Sequence, residues 1–359
     1  MDEKITVLVV DDSAFIRRAL TDILEIAGDI MVVGTAKNGV EAIEKTKAIN
    51  PDVITLDLEM PTMDGLRCLK ELQKITNAPI IILSSLTKNG ENATIEALEA
   101  GVVDFITKPA GLFKIEGDAK KKEIIEKVRM AYSIRKKSSR VMDAGIASPK
   151  ILTKHVCLKN STLRTIIAIG TSTGGPKALQ EVLPCIPENV PAAVLIVQHM
   201  PPGFTKSLAE RLDTLSGLSV KEAEDNEIIK SGYAYIAPGD FHMEVRKVSG
   251  DNLLIKLTQG DTLSGHRPSV NVMMNSIAET KFPSVIGVIM TGMGTDGSEG
   301  IINIKNANNG IIISQDEQSC VVYGMPKSAV NTGVVDKVVP LKEIAEVIVK
   351  YLGVDQQWT

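Results

Sequence analysis

From Ile5 onward, short β-branched apolar runs alternate with stretches whose apolar residues recur at helical spacing. A continuous apolar run of strand length marks a strand buried on both faces, and an i, i+3, i+4 pattern marks a helix lying on such a sheet. On that basis Ile5 to Val10, Met31 to Ala36, Asp52 to Leu56, Pro79 to Leu83 and Asp104 to Thr107 are strands. Ala14 to Ala27, Val40 to Ile49, Gly65 to Ile75, Thr94 to Ala100 and Asp118 to about Lys136 are the helices that follow them. Successive β/α units joined by right-handed crossovers predict a parallel sheet covered by helices on both faces. Periodicity lapses over 137–160, where Lys136-Lys137-Ser138-Ser139-Arg140 leads to Gly145, Ser148 and Pro149, so this is the linker candidate. A second α/β pattern begins at Thr165. Its strands are Thr165 to Ile169, Ala192 to Gln198, Ser284 to Met290 and Gly310 to Ser314, and its helices Pro176 to Leu183 and Phe204 to Leu215. From Val220 to Thr258 the pattern is alternating and rich in turns, which predicts an antiparallel excursion inserted in a doubly wound parallel sheet.

Composition narrows the classes of function. The 359 residues suit two domains, and 44% hydrophobic with 23% charged residues suits soluble, well-cored ones. A net charge of -4 and 3% aromatics leave no basic field for phosphate backbones and little for base stacking, so nucleic acid is excluded as a first reading. No recognition helix of basic character follows residue 160. No apolar run approaches the roughly 20 residues of a membrane span, and Met1-Asp2-Glu3-Lys4 is wrongly composed for a signal peptide. Cys68, Cys157, Cys185 and Cys320 form no C-x-x-C pair, which suits the cytoplasm and neither a disulfide framework nor zinc. His155, His199, His242 and His266 are the only histidines available to any base-dependent chemistry.

The first domain gathers acidic residues at strand ends. Asp11 and Asp12 follow the first strand, Asp57 the third, and Lys108-Pro109 the fifth. The carboxyl edge of a parallel sheet is where ligands bind, so these groups converge there. Carboxylates without cysteine or histidine select a hard cation, most simply Mg²⁺. A cation and Lys108 would neutralise charge on a phosphoryl group for which Asp57 is the acceptor, and Ser84 is placed to hydrogen-bond its oxygen. One such acid is as readily an N-cap or turn former; LVVDDS, DLEMPTMDG and DFITKP together are not. Residues 4–121 resemble a response-regulator receiver domain of flavodoxin-like (βα)5 fold. That resemblance implies Asp57 as phospho-acceptor, Asp12 as direct Mg²⁺ ligand with Asp11 in support, and the Glu59 carbonyl as a further ligand. It also assigns Ser84, Lys108 and Phe105 to the switch positions.

In the second domain Gly170-Thr171-Ser172-Thr173-Gly174-Gly175-Pro176 joins a strand to a helix. Such a glycine-rich turn can cradle a phosphate, yet it lacks the lysine of a P-loop and the spacing of dinucleotide sites. It matches G-x-S-x-G, where a serine hydroxyl is exposed on a tight turn beside N–H groups suited to an oxyanion. A serine nucleophile needs a base. His199 follows a strand directly, whereas His155 falls in the linker and His242 and His266 in the irregular insertion, where a surface or structural role is the better reading. Asp296, in the glycine-rich loop after the strand ending at Met290, is the candidate orienting acid. The order Ser, His, acid differs from that of α/β-hydrolases, so the motif does not indicate that fold.

With IGTSTGGP, IVQHMPPGFT, YIAPGDFHM, SGHRPSVNVMM, TGMGTDGSEG and YGMPKSAV, the chain from residue 4 to about 353 resembles the CheB family, the chemotaxis response-regulator protein-glutamate methylesterases. The resemblance implies a catalytic domain over 161–353 joined to the receiver through 122–160. It implies a Ser172, His199, Asp296 triad, with Met293 and Thr173 at or near the oxyanion site. It implies hydrolysis of glutamate γ-methyl esters and deamidation of glutamines on the cytoplasmic helices of chemoreceptors, through an acyl-enzyme and without a cofactor in that step. A chemotaxis histidine kinase is the implied phosphodonor. In the family the unphosphorylated receiver covers the catalytic crevice and phosphorylation loosens it. The alternative is a receiver fused to a degenerate hydrolase that only binds signalling partners.

Overall fold

The computed structural model describes residues 4–108, 118–138, 162–248, 252–263 and 265–353, which form two compact units. Pro109, the linker over 139–160 with His155 and Cys157, and the tail from Asp355 lie outside the described residues.

The first unit is a five-stranded parallel sheet of order β2-β1-β3-β4-β5, from β1 (Ile5–Val10), β2 (Ile30–Ala36), β3 (Val53–Asp57), β4 (Ile80–Ser84) and β5 (Asp104–Thr107). The central strands β1, β3 and β4 are almost wholly buried, as their unbroken apolar runs require. Helices α1 (Ala14–Ile26), α2 (Gly39–Ile49) and α3 (Gly65–Ile75) begin at Ser13, Asn38 and Asp64, whose side chains accept the first free N–H groups. Helix α4 (Lys88–Glu99) starts well before the predicted Thr94. Thr87 caps it by accepting the Gly90 N–H at 3.0 Å, which offsets a polar, glycine-containing first turn that shows no apolar stripe. Helix α5 (Asp118–Ser138) packs on α1, β3 and β4 and so belongs to this unit.

The second unit has a seven-stranded sheet of order β14-β13-β12-β6-β7-β9-β8, every pair parallel. Its strands are β6 (Thr165–Thr171), β7 (Ala192–Gln198), β8 (Ser219–Glu222), β9 (Tyr233–Ile236), β12 (Val285–Ile289), β13 (Ile311–Gln315) and β14 (Lys337–Val339). Among the described strands only β10 (His242–Lys247) and β11 (Leu253–Thr258) pair antiparallel, in a separate two-stranded sheet. The small antiparallel excursion expected is thus present, carried by β10 and β11 and not beginning at Val220. Strand β8 is the edge of the main sheet and only partly buried, while β9, between β7 and β8, is almost wholly buried; both pair parallel.

Helices α6 (Gly175–Val182) and α7 (Phe204–Leu215) fall where the sequence pattern predicts them. The pattern did not resolve α8 (Val270–Thr280), α9 (Ser298–Asn308), α10 (Met325–Asn331) or α11 (Leu341–Leu352). Helix α8 carries Met273, Met274 and Ile277 into a core shared with β6, β7 and β12. The winding direction reverses between β6 and β12, and the chain ends of β6, β7 and β12 meet at that reversal. No helix among the described residues is long and apolar enough to cross a membrane.

Candidate functional sites

The carboxyl edge of the first sheet brings Asp11, Asp12 and Asp57 together, with one carboxylate oxygen of each within 4.8 Å of the others. Asp11 and Asp57 are buried while Asp12 is exposed. The Asp11 Oδ1 accepts the Ser13 N–H at 2.9 Å, and the Asp57 Oδ1 accepts the Glu59 N–H at 3.0 Å. Lys108 lies 2.9 Å from Asp11 Oδ2 and 2.6 Å from Asp57 Oδ2. Apart from that ammonium the two buried Oδ2 atoms have no partner among the described residues. Burial pushes the Asp57 carboxyl up to about 6 against the pull of Lys108, and the Asp11 charge pushes the same way. Burial opposes protonation of Lys108, yet its bonds to Asp57 and Asp11 outweigh that and keep its pKa raised. Three crowded carboxylates with unfilled lone pairs fit a hard divalent cation.

The other residues singled out in this unit are held by α4 and α5. The Ser84 hydroxyl accepts from Thr94 Oγ1 at 2.6 Å and is turned toward the Gly90 carbonyl, so α4 and not Asp57 holds it here. Phe105 is buried, with the Lys127 ammonium 5.3 Å from its ring centroid. The Glu59 side chain is exposed and accepts from Ser85 Oγ at 2.7 Å and Thr87 Oγ1 at 3.3 Å, a tie between loops that the sequence did not signal.

In the second unit Ser172 directly follows β6 and is half-buried. Its N–H donates to the Thr291 carbonyl at 3.0 Å; its carbonyl accepts the Gly175 N–H at 2.8 Å and Gln198 Nε2 at 2.9 Å. Gly292 allows this approach, because a Cβ there would lie 2.8 Å from the Ser172 Cβ. His199 directly follows β7 and its N–H donates to the Thr171 carbonyl at 3.1 Å. Its imidazole is 5% exposed, and Nε2 lies 2.8 Å from Asp296 Oδ2.

Asp296 sits on the N-terminus of α8. It accepts Ser269 Oγ at 2.9 Å, the Val270 N–H at 2.7 Å and the Asn271 N–H at 2.9 Å, so the helix end and its dipole favour the anion. Burial works to raise its pKa, but the His199 hydrogen bond and charge and the Asn271 and Val270 N–H groups hold it down to about 2. An ionised carboxylate only accepts, so it assigns the imidazole proton to Nε2. Nδ1 is then the basic nitrogen, buried and without a hydrogen-bond partner among the described residues, so no bond joins it to Ser172 Oγ in this conformation. Met293 is 39% exposed on the rim and Thr173 is buried beside the serine.

These geometries coincide with two family matches: residues 167–348 to the CheB methylesterase family and residues 7–118 to the response regulator receiver domain. The protein-glutamate methylesterase/protein-glutamine glutaminase of Halalkalibacterium halodurans is 47% identical over 350 residues, covering 98% of this chain and 99% of that one. Its counterpart from Archaeoglobus fulgidus is 46% identical over 348 residues, covering 97% and 98%. The chain belongs to the CheB methylesterase family. The crystal structure of the Thermotoga maritima CheB methylesterase catalytic domain is 45% identical, with TM-score 0.50, and covers 52% of this chain and 98% of that one. As a member of the CheB family the chain is a hydrolase carrying a receiver domain.

Sequence reasoning missed three supporting residues of this CheB-type site, Gln198, Thr291 and Ser269, and gave His242 only a surface or structural role. Gln198 Nε2 donates to the Ser172 and His199 carbonyls and so ties both turns together. Thr291 Oγ1 donates to the Thr173 carbonyl at 3.0 Å. Ser269 caps α8 and donates to Asp296, while His242 Nδ1 accepts the Ser269 N–H at 3.2 Å. The IVQHMPPGFT and SGHRPSVNVMM motifs contain Gln198 and Ser269, but nothing in their spacing indicates which neighbour each contacts.

Proposed function

We propose that Ser172, His199 and Asp296 act as a catalytic triad that hydrolyses γ-methyl esters of glutamate, and deamidates specific glutamines, on chemoreceptor cytoplasmic helices. The observation that carries this is the buried His199–Asp296 pair at the strand ends flanking the half-buried Ser172. His199 takes the Ser172 proton through Nδ1 as Oγ attacks the side-chain carbonyl; that hydrogen bond forms as substrate closes the site, as is common for bonds long or absent in a free enzyme. Asp296 steadies the imidazolium, and N–H groups at Thr173 and Met293 are the proposed oxyanion donors. The imidazolium protonates the leaving methoxide oxygen or amide nitrogen as its bond to the carbonyl carbon breaks, so methanol or ammonia departs and an acyl-serine remains. Water, deprotonated by His199, then releases the glutamate carboxylate and regenerates Ser172.

The domain limits that go with this reading are 4–121 for the receiver motifs, 122–160 for the rest of α5, which packs on the receiver sheet, and the linker, and 161–353 for the catalytic domain. Asp57 is the phospho-acceptor, supplied by a chemotaxis histidine kinase in the cytoplasm, and its phosphorylation raises the esterase rate. Asp11, Asp12, the Asp57 carboxylate and the Glu59 carbonyl would hold Mg²⁺, which neutralises phosphoryl charge when bound. Lys108 neutralises it from the other side, and Ser84 and Phe105 register the change after leaving the contacts described above. The test is methanol release from methylated receptor membranes. Wild type releases methanol and Ser172→Ala does not; no release from folded wild type would favour the non-catalytic binding reading.

A further inference from the structure

The ring of His266 lies flat against the catalytic imidazole. The His199 and His266 centroids are 4.0 Å apart with 8° between the planes. The turn that carries His266 is built independently of His199. The His266 N–H donates to the Leu263 carbonyl at 2.9 Å, and the Leu263 N–H donates back to the His266 carbonyl at 3.1 Å. Arg267 forks onto Asp240 through Nε at 3.1 Å and one terminal nitrogen at 2.5 Å, and its other terminal nitrogen donates to the Gly260 carbonyl at 2.7 Å. Two residues further on, Ser269, Val270 and Asn271 hold Asp296. One short stretch therefore fixes two sides of His199, its edge through Asp296 and its face through His266.

The edge contact alone does not orient the base. A carboxylate oxygen accepts over a broad range of angles, and the ring torsion of a histidine is a soft sp³–sp² rotation. With Nε2 pinned, rotation of the ring would still change where Nδ1 points. A ring stacked on the face stops that rotation, since two parallel rings cannot tilt without colliding.

Resting on the triad reading above, we propose that His266 is a positioning residue for ester hydrolysis, aiming Nδ1 of His199 at the nucleophile by face-to-face stacking. The ring, and not its protons, is what the reaction needs. The experiment uses the full-length chain and methylated receptor membranes, with kcat and KM measured for His266→Ala, His266→Leu and His266→Phe beside Ser172→Ala. Loss of orientation lowers kcat on the order of tenfold in His266→Ala with KM within about twofold, because misplaced reacting groups cost rate. His266→Phe keeps a stackable ring and retains about a third or more of wild-type kcat; His266→Leu, of similar bulk without a flat face, does not. If His266→Ala fails to fold, the Phe and Leu pair carries the comparison. Wild-type kcat in His266→Leu, or a His266→Phe as slow as His266→Leu, overturns the proposal while a dead Ser172→Ala leaves the triad standing. An active Ser172→Ala overturns both.

Discussion

Asp296 holds the second site together at the level of a single residue. Its two oxygens receive one imidazole, one hydroxyl and two backbone N–H groups, so replacing it disturbs charge, tautomer and helix end at once. Asp296→Asn can present its amide to only some of these donors and no longer fixes the proton on Nε2. The expected result is a kcat lowered by about 10⁴-fold with little change in KM, as where an aspartate orients a catalytic base in other hydrolases, read by steady-state methanol release. The carboxyl is depressed to about 2, so its contribution to stability is complete above its ordinary value and is lost only as pH falls through about 2. Asp57 behaves oppositely. Its carboxyl is pushed up to about 6 without a cation, and Mg²⁺ needs it ionised. Calorimetric titration should show Mg²⁺ affinity weaker on the order of tenfold at about pH 5 than at about pH 7.5; equal affinities would exclude Asp57 as a ligand. Asp57 was legible in the sequence because it ends a strand of continuous apolar residues, and Asp296 because it stands in the glycine-rich loop that follows one. Lys108, Asp11 and His199, which act on their pKa values, were legible with them, whereas the α8 N-terminus that also holds Asp296 was not, because Val270, Asn271 and Ser269 lie 25 to 27 positions away.

Among the elements, the strands were legible and the later helices were not, for one physical reason. A strand buried on both faces is apolar throughout, as β6 and β7 are, and needs no phase to be recognised. Helix α8 is nearly as buried, with Val270, Met273, Met274, Ile277 and Ala278 inside, but Asn271, Asn275 and Ser276 interrupt the run and bond Gly297, Asn303 of α9 and Val245 of β10. Strands β8 and β9 misled the reading because four residues do not show whether a strand's neighbours run parallel or antiparallel. Helix α8 nevertheless governs the site, since its N-terminus holds Asp296. Its seat against β6 depends on Gly170, where a Cβ would lie 2.4 Å from Val270 Cγ1. Gly170→Ala should cost about 1–3 kcal/mol by overpacking, seen as a lower denaturation midpoint for the catalytic domain. It should also lower kcat by moving Asp296, while phosphorylation at Asp57 is unchanged. An unaltered kcat would mean that α8 does not set the acid.

At the scale of the whole molecule, each unit is an α/β sheet with its chemistry at the carboxyl edge, one acidic and one nucleophilic. The central claim is that the first governs the second through a phosphoryl group on Asp57. Asp57→Asn removes the acceptor without touching the serine site. The decisive measurement is the rate of methanol release from methylated receptor membranes, with and without a small-molecule phosphodonor and Mg²⁺, for wild type, Asp57→Asn and Ser172→Ala. The account predicts a stimulated wild type, an Asp57→Asn that stays at its basal rate with the donor, and no release from Ser172→Ala. Stimulation that persists in Asp57→Asn, or methanol released by Ser172→Ala, would contradict it.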